Sequence, residues 1–140
     1  MRNITTQGSM KKILIIDDND GILFALRQAL KIGGYEAHTA DSFEGVDPII
    51  DLCPDLILLD VFLVGRDGRA VAREIKGNEK TGHIPIIMIT AYPNGDQLMR
   101  EAGADDFLAK PFDLKDLYEK VARYAGGGTE AAPAMPLHLV

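Results

Sequence analysis

Five short apolar runs, at residues 13–16, 35–39, 56–59, 86–89 and 107–109, are each followed by a longer amphipathic segment, and this repetition constrains the chain more than any other feature. Runs of this length are strand-sized, whereas the segments between them carry the three-to-four-residue spacing of a helix with one buried face. Ile22, Leu26 and Leu30 repeat in this way before Gly33-Gly34. Val71 and Ile75 pattern the third segment, and Leu114, Leu117, Val121 and Tyr124 stripe the last. Asp113 stands where it can cap that last helix, and Gly126-Gly127-Gly128 where it ends. Three of the runs are nearly all apolar, as suits parallel strands covered on both faces. With right-handed crossovers, five such units predict an α/β fold: a doubly wound parallel sheet with helices on both faces.

The 140 residues, 46% apolar and 26% charged, suit one globular domain. A chain of this size buries roughly 68% of its unfolded surface and needs neither disulfides nor a structural metal. The single cysteine, Cys53, makes no internal disulfide and reads as a small buried hydrophobe. Fifteen basic residues against 21 acidic give a net charge of −6, with no basic cluster to hold a phosphate backbone, so direct nucleic-acid binding is not expected. No apolar run approaches the roughly 20 residues that cross a bilayer, and the N-terminus lacks a secretory apolar core, so a cytoplasmic location is expected. Residues 1–9 read as a tag or disordered leader, with Gly8-Ser9-Met10 resembling a vector junction. Residues 10–125 read as the domain. Residues 126–140, rich in glycine, alanine and proline, read as a flexible tail or linker whose apolar end suits docking on a partner or on the domain itself.

The polar residues that close the runs carry the chemistry. The first strand ends in Asp17-Asp18, the third in Asp60, the fourth in Thr90 and the fifth in Lys110. In a parallel sheet every carboxyl end lies on one edge, so these side chains converge on the crevice where doubly wound proteins bind ligands. In the flavodoxin-like strand order, 2-1-3-4-5, strands 1 and 3 are neighbours, which brings three carboxylates together. Like charges that close raise one another's pKa, and a divalent cation relieves them. Hard oxygen ligands favour Mg²⁺, with Mn²⁺ interchangeable.

From Lys12 to about Ala125 the chain resembles the receiver domains of two-component response regulators. The resemblance rests on ILIIDDND, PDLILLDVFLVGRDG, IPIIMITAY and GADDFLAKPFD, four pieces in the right order with compatible spacing. It implies a phosphoacceptor signalling domain rather than an enzyme in its own right, phosphorylated on Asp60 by the phosphohistidine of a sensor histidine kinase or histidine phosphotransfer protein. It further implies that Asp18 and Asp60 hold the cation directly, Asp17 largely through water, and the Phe62 carbonyl completes the protein ligands. Thr90 and Lys110 would contact the phosphoryl oxygens, Phe107 would be the switch aromatic, and Lys110-Pro111 would be cis. Phe62 and Tyr92, two positions after the acceptor and the threonine, would tune hydrolysis. Helix 4, strand 5 and helix 5 would form the surface read by a downstream partner or by a second copy in a phosphorylation-dependent homodimer.

Three departures from the family pattern stand out. Val64 replaces the usual proline and predicts a looser loop. The stretch from Thr90 to Lys110 is about two residues short and begins with Pro93-Asn94-Gly95, predicting a short or partly unwound fourth helix. No output domain follows, so the sequence reads either as a stand-alone receiver or as a fragment of a larger regulator or hybrid kinase. IIDDNDGI also resembles the first motif of haloacid-dehalogenase-type phosphatases, with Asp18 as nucleophile and Asp20 as acid, but Asp105 and Asp106 precede Lys110, whereas that family's acidic motif comes after its lysine. An EF-hand reading fails because Ile16 and Arg27 would occupy ligand positions. A receiver-like binding module without phosphorylation is the remaining alternative, opposed by the full set of polar residues. His38, His83 and His138 have no metal-ligand spacing and read as surface or loop residues.

Overall fold

The computed structural model describes residues 10–127 together with 138 and 139. The expected leader (1–9) and most of the expected tail (128–137 and 140) lie outside the described residues. Strands β1 (Lys12–Ile16), β2 (Glu36–Ala40), β3 (Leu56–Asp60), β4 (Ile86–Thr90) and β5 (Asp106–Ala109) form one parallel sheet in the order β2-β1-β3-β4-β5. Helices α1 (Asp20–Ile32), α2 (Asp47–Leu52), α3 (Gly68–Gly77), α4 (Gly95–Ala102) and α5 (Leu114–Ala125) alternate with the strands. This is the predicted flavodoxin-like topology. The helix after Thr90 has eight residues, in line with the shortened stretch that encodes it. No described helix is long and apolar enough to cross a membrane.

Period-two alternation sorts the strand residues onto two faces. Ile13, Ile15, Leu56, Leu58, Ile87, Ile89 and Leu108 join Leu23, Leu26 and Leu30 of α1 and Leu117 and Val121 of α5 in one core. Leu14, Ile16, Ile57, Leu59, Ile86 and Met88 join Ile49 of α2, Val71 and Ile75 of α3 and Leu98 of α4 in the other. Every residue of β3 and β4 is buried, which explains their unbroken apolar sequences. Each fully buried leucine or isoleucine contributes roughly 1.5–3 kcal/mol, and this double burial fixes the central strands that carry Asp60 and Thr90.

Side chains placed just after strand or loop ends start three of the helices. Asn19 accepts from the Ile22 amide at 3.0 Å, Asp67 from Arg69 at 2.9 Å and Asp113 from Asp116 at 3.0 Å, each satisfying a free donor of a first helical turn. Gly126 closes α5 at a φ of 74°. Asp113→Ala should cost about 1 kcal/mol in a urea melt, the usual value of such a cap; an unchanged midpoint would contradict its role.

Two expectations need correction. Cys53 is exposed, not buried: it is the C-cap of the short helix α2, at a φ of 54°, and its thiol donates to the Ile50 carbonyl at 3.0 Å. Helix ends of this kind turn the residue outward, which the apolar company of Leu52 and Pro54 in the sequence concealed. His138 is not in a loop; His138–Leu139 pairs antiparallel with Phe112–Asp113, so the backbone at the apolar end of the tail lies against the domain. His83 is exposed in a turn, and His38 is half-buried on β2 with Nε2 2.6 Å from Glu36 Oε2.

Candidate functional site

Register brings the polar residues together. β1 pairs Ile16 with Leu59, so Asp17 and Asp60, one residue further on, lie side by side. β4 pairs Thr90 with Ala109, so Lys110 comes just beyond, and its amide continues the ladder to the Thr90 carbonyl at 2.7 Å. Asp17, Asp18 and Asp60 each offer an oxygen within 4.8 Å of the others. Asp17 is 1% exposed and Asp60 9%. Lys110 Nζ stands 3.9 Å from Asp17 Oδ2 and 3.9 Å from Asp60 Oδ1, close enough to pair electrostatically with both but too far for a direct hydrogen bond to either.

Two of the three carboxylates, Asp17 and Asp18, are held by backbone donors. Asp17 Oδ1 accepts from the Asn19 amide at 2.9 Å, the same Asn19 whose side chain caps α1. Asp18 Oδ2 accepts from the Val64 amide at 2.5 Å. Asp60 is aided by the Phe62 amide, but burial and then the neighbouring Asp17 charge outweigh this and Lys110, pushing its pKa up to about 6. Burial raises Asp17 too. Asp17 Oδ2 is buried with no hydrogen-bond partner, an expensive arrangement for a carboxylate oxygen. Oxygen donors, crowded negative charge and an orphaned buried lone pair fit a hard divalent cation, and a single lysine is too distant to replace it.

Thr90 is buried, and its oxygen accepts from the Tyr92 amide at 3.0 Å, leaving its own proton to donate. Phe62 and Tyr92 are half-exposed, with ring centroids 4.7 Å apart. Phe107 is half-buried on the α3–α4 side, where a Cβ on Gly95 would come 2.5 Å from its ring. Lys120 Nζ lies 6.0 Å from the centroid of that ring and binds both oxygens of Asp106 at 3.0 Å. The Lys110-Pro111 bond is cis, as expected. Asp20 opens α1, exposed and outside the carboxylate cluster, so the phosphatase-like reading loses its second acid.

Gly65 and Gly68, which in the sequence bracket the loop after Asp60 where tight backbone turns need glycine, frame a contact network whose remaining members the sequence does not mark. Between Asp60 and α3 the chain forms a tight ribbon, Phe62–Leu63 against Arg66–Asp67, closed by the Gly68 amide donating to the Val61 carbonyl at 2.7 Å. A Cβ on Gly68 would overlap the Asp60 carbonyl oxygen and stand 2.6 Å from that of Val61, so the glycine there lets the start of α3 pack against the Asp60 backbone. Arg69 links Asp67 at 2.7 Å to Glu101 of α4 at 2.8 Å. No sequence motif marks Asn19 or Val64, because each acts on the site through a main-chain amide.

A doubly wound sheet with an acidic crevice at its switch point and a lysine facing a buried aspartate defines an α/β domain whose ligand site lies at the carboxyl edge of its strands. The chain belongs to the response regulator receiver domain family, which residues 13–122 match, and it is therefore a phosphoacceptor domain of two-component signalling. It is 41% identical over 129 residues to the phosphate regulon transcriptional regulatory protein PhoB of Pseudomonas aeruginosa, covering 88% of this chain and 56% of that protein. It is 36% identical over 115 residues to the DNA-binding dual master transcriptional regulator RpaA of Synechocystis, covering 80% and 48%. The chain thus spans about half the length of these curated relatives. Among solved structures it is similar to the receiver domain of the sensor histidine kinase PA1611 from P. aeruginosa, which has a magnesium ion coordinated in its active-site cleft, at a TM-score of 0.71 and 27% identity over 85% of this chain and 100% of that one. A response regulator receiver domain from Methanospirillum hungatei matches at 0.72 and 32% identity over 82% and 93%.

Proposed function

We propose that Asp60 is the phosphoacceptor, taking a phosphoryl group from the phosphohistidine of a sensor histidine kinase or histidine phosphotransfer protein. The observation that carries this is the orphaned Asp17 oxygen beside a buried Asp60 faced by Lys110. Asp17, Asp18, Asp60 and the Phe62 carbonyl would hold Mg²⁺ or Mn²⁺, which when bound supplies positive charge to the phosphoryl oxygens. An Asp60 oxygen attacks phosphorus; the P–O bond forms as the P–N bond breaks, and the imidazole leaves with the bonding pair. Lys110 neutralises oxygens that gain charge, and Thr90 donates its hydroxyl to one of them. The hydroxyl can do so while its oxygen accepts from the Tyr92 amide, and Phe107, packed against Gly95 and 6.0 Å from Lys120 Nζ, is the ring that answers its movement. The surface of α4, β5 and α5 would then be read by a downstream protein or a second copy. We place the domain at residues 10–125, in the cytoplasm.

The test is intact mass after incubation with Mg²⁺ and a small phosphoramidate or acyl phosphate. One phosphoryl adduct is expected, absent with chelator; a cation-independent adduct would overturn the reading. Lys110→Ala should still bind the cation and accept phosphate, yet no longer couple uptake to the change at α4 and β5, read as loss of amide-exchange changes there. Wild-type exchange behaviour in the phosphorylated variant would remove Lys110 from that role.

Hydrolysis needs a water in line with the bond to Asp60, and the paired rings of Phe62 and Tyr92 leave little room for it and no carboxylate or amide to orient it. The phosphoryl state is therefore long-lived. Phe62→Asn combined with Tyr92→Glu should hasten decay about tenfold, about 1.4 kcal/mol of barrier. Equal or slower decay would sink the shielding role.

A further inference from the structure

Among the described residues, Asp18 receives one hydrogen bond, and it comes from the Val64 amide, 46 residues further along the chain. Asp17 has the Asn19 amide and faces Lys110, while Asp60 faces the same lysine. Asp18 is the half-exposed carboxylate of the three, and a short charged side chain near solvent samples several rotamers unless a donor selects one. At 2.5 Å to a carboxylate oxygen, the Val64 N–H is such a donor. The valine side chain itself is 87% exposed, so whatever Val64 does at the site, its main chain does.

The turn explains why this amide points at Asp18. Phe62 pairs with Asp67 and Leu63 with Arg66, leaving Val64 and Gly65 as its two central residues. Gly65 has a φ of 77°, and Val64 is not among the residues with positive φ. That combination matches a type II turn, whose first central residue directs its N–H out of the turn and accommodates proline without strain.

We propose that the Val64 amide is a positioning donor: it fixes Asp18 in the conformation that faces Asp17 and Asp60, so that cation binding and order in the turn at residues 63–66 support each other. This rests on the proposed role of the three carboxylates as a cation site. One Asp18 oxygen is held by the turn, and each carboxylate oxygen keeps lone pairs for the cation. Donors of this kind around metal ligands commonly change affinity 10- to 100-fold. By reciprocity, a cation that gains affinity from the ordered turn protects that turn to the same degree. The position at which the loop is expected to be looser is therefore the one that ties it to the acidic site.

Val64→Pro tests this cleanly, because the turn tolerates proline while the donor disappears. Isothermal titration with Mg²⁺ should give about tenfold weaker binding for Val64→Pro and wild-type binding for Val64→Ala, which keeps the N–H. Thermal stability of the cation-free Val64→Pro protein should be unchanged or slightly raised, so that lost affinity is not lost folding. Wild-type Mg²⁺ affinity in folded Val64→Pro would overturn the proposal alone, whereas absence of Mg²⁺ binding in the wild type would overturn the cation site with it. Should Val64→Pro fail to fold, hydrogen exchange of the wild-type Val64 amide decides: protection in the cation-free protein that rises with Mg²⁺ is expected, and exchange at the rate of a free amide would refute the donor role.

Discussion

Asp60→Asn should abolish the phosphoryl adduct and, in the same protein, raise the stability of the cation-free domain at neutral pH. The first effect is all-or-none because the amide nitrogen and oxygen of asparagine offer no carboxylate to form an acyl phosphate. The second comes from linkage. Asp60 titrates near 6 when folded and near 3.9 when unfolded, so between these values the folded state binds more protons. Stability conferred by that proton is complete below about pH 4 and is lost as pH rises through about 6. A tenfold difference in proton affinity between the folded and unfolded chain corresponds to about 1.4 kcal/mol; because Asp60 shares its charge balance with Asp17 and Lys110, about 1–3 kcal/mol is expected, or several degrees in Tm for a domain of this size.

Melts with chelator at pH 5, 6 and 7.5 should show the wild type losing stability with rising pH and Asp60→Asn losing much less. Asp67, lowered by its bond to Arg69, and Asp106, whose burial is outweighed by Lys120 and its other donors, lose their stabilisation only at lower pH, so the slope left in Asp60→Asn is that of Asp17, which burial also raises. Mg²⁺ at pH 7.5 should restore the wild type. Identical pH slopes in the two proteins would show that Asp60 is not strained by its surroundings.

The second large effect is expected at Gly68. Its missing Cβ is replaced in space by the Asp60 and Val61 carbonyls and the Val61 Cα, all backbone atoms at and just after the end of β3, which cannot swing aside as a side chain would. Gly68→Ala should therefore cost about 3 kcal/mol, the upper end of ordinary overpacking, and slow phosphoryl uptake because relief requires moving the end of β3. Gly77→Ala, at the other end of the same helix and facing open space, should be neutral or stabilising by up to about 1 kcal/mol. Urea melts of the two variants make the comparison, and equal costs would refute the packing explanation.

Legibility from sequence tracked side-chain chemistry. The sheet was readable because both its faces are buried, so that the alternating residues of Leu56–Asp60 and Ile86–Thr90 spell uninterrupted apolar runs. The site was readable because its acids, threonine and lysine stand immediately after those runs. What remained hidden is carried by the main chain: the amides of Asn19 and Val64, and the pairing of His138–Leu139 with Phe112–Asp113. Every non-proline residue carries the same donor and acceptor, so composition holds no trace of which ones are aimed at a carboxylate. Cys53 failed for a related reason, since its exposure is set by a left-handed backbone at a helix end rather than by its apolar neighbours.

The division of the interior by the sheet has a consequence for how such a chain tolerates sequence drift. Leu98 of α4 shares its core with α2 and α3, while α1 and α5 meet on the opposite side. A volume change in Val71 or Ile75 is thus felt by α4, whereas one in Leu26 or Val121 is absorbed beyond the strands, where substitutions with no shared neighbours add independently. The two halves of the interior are free to diversify on separate clocks, with the acidic crevice standing on the edge common to both.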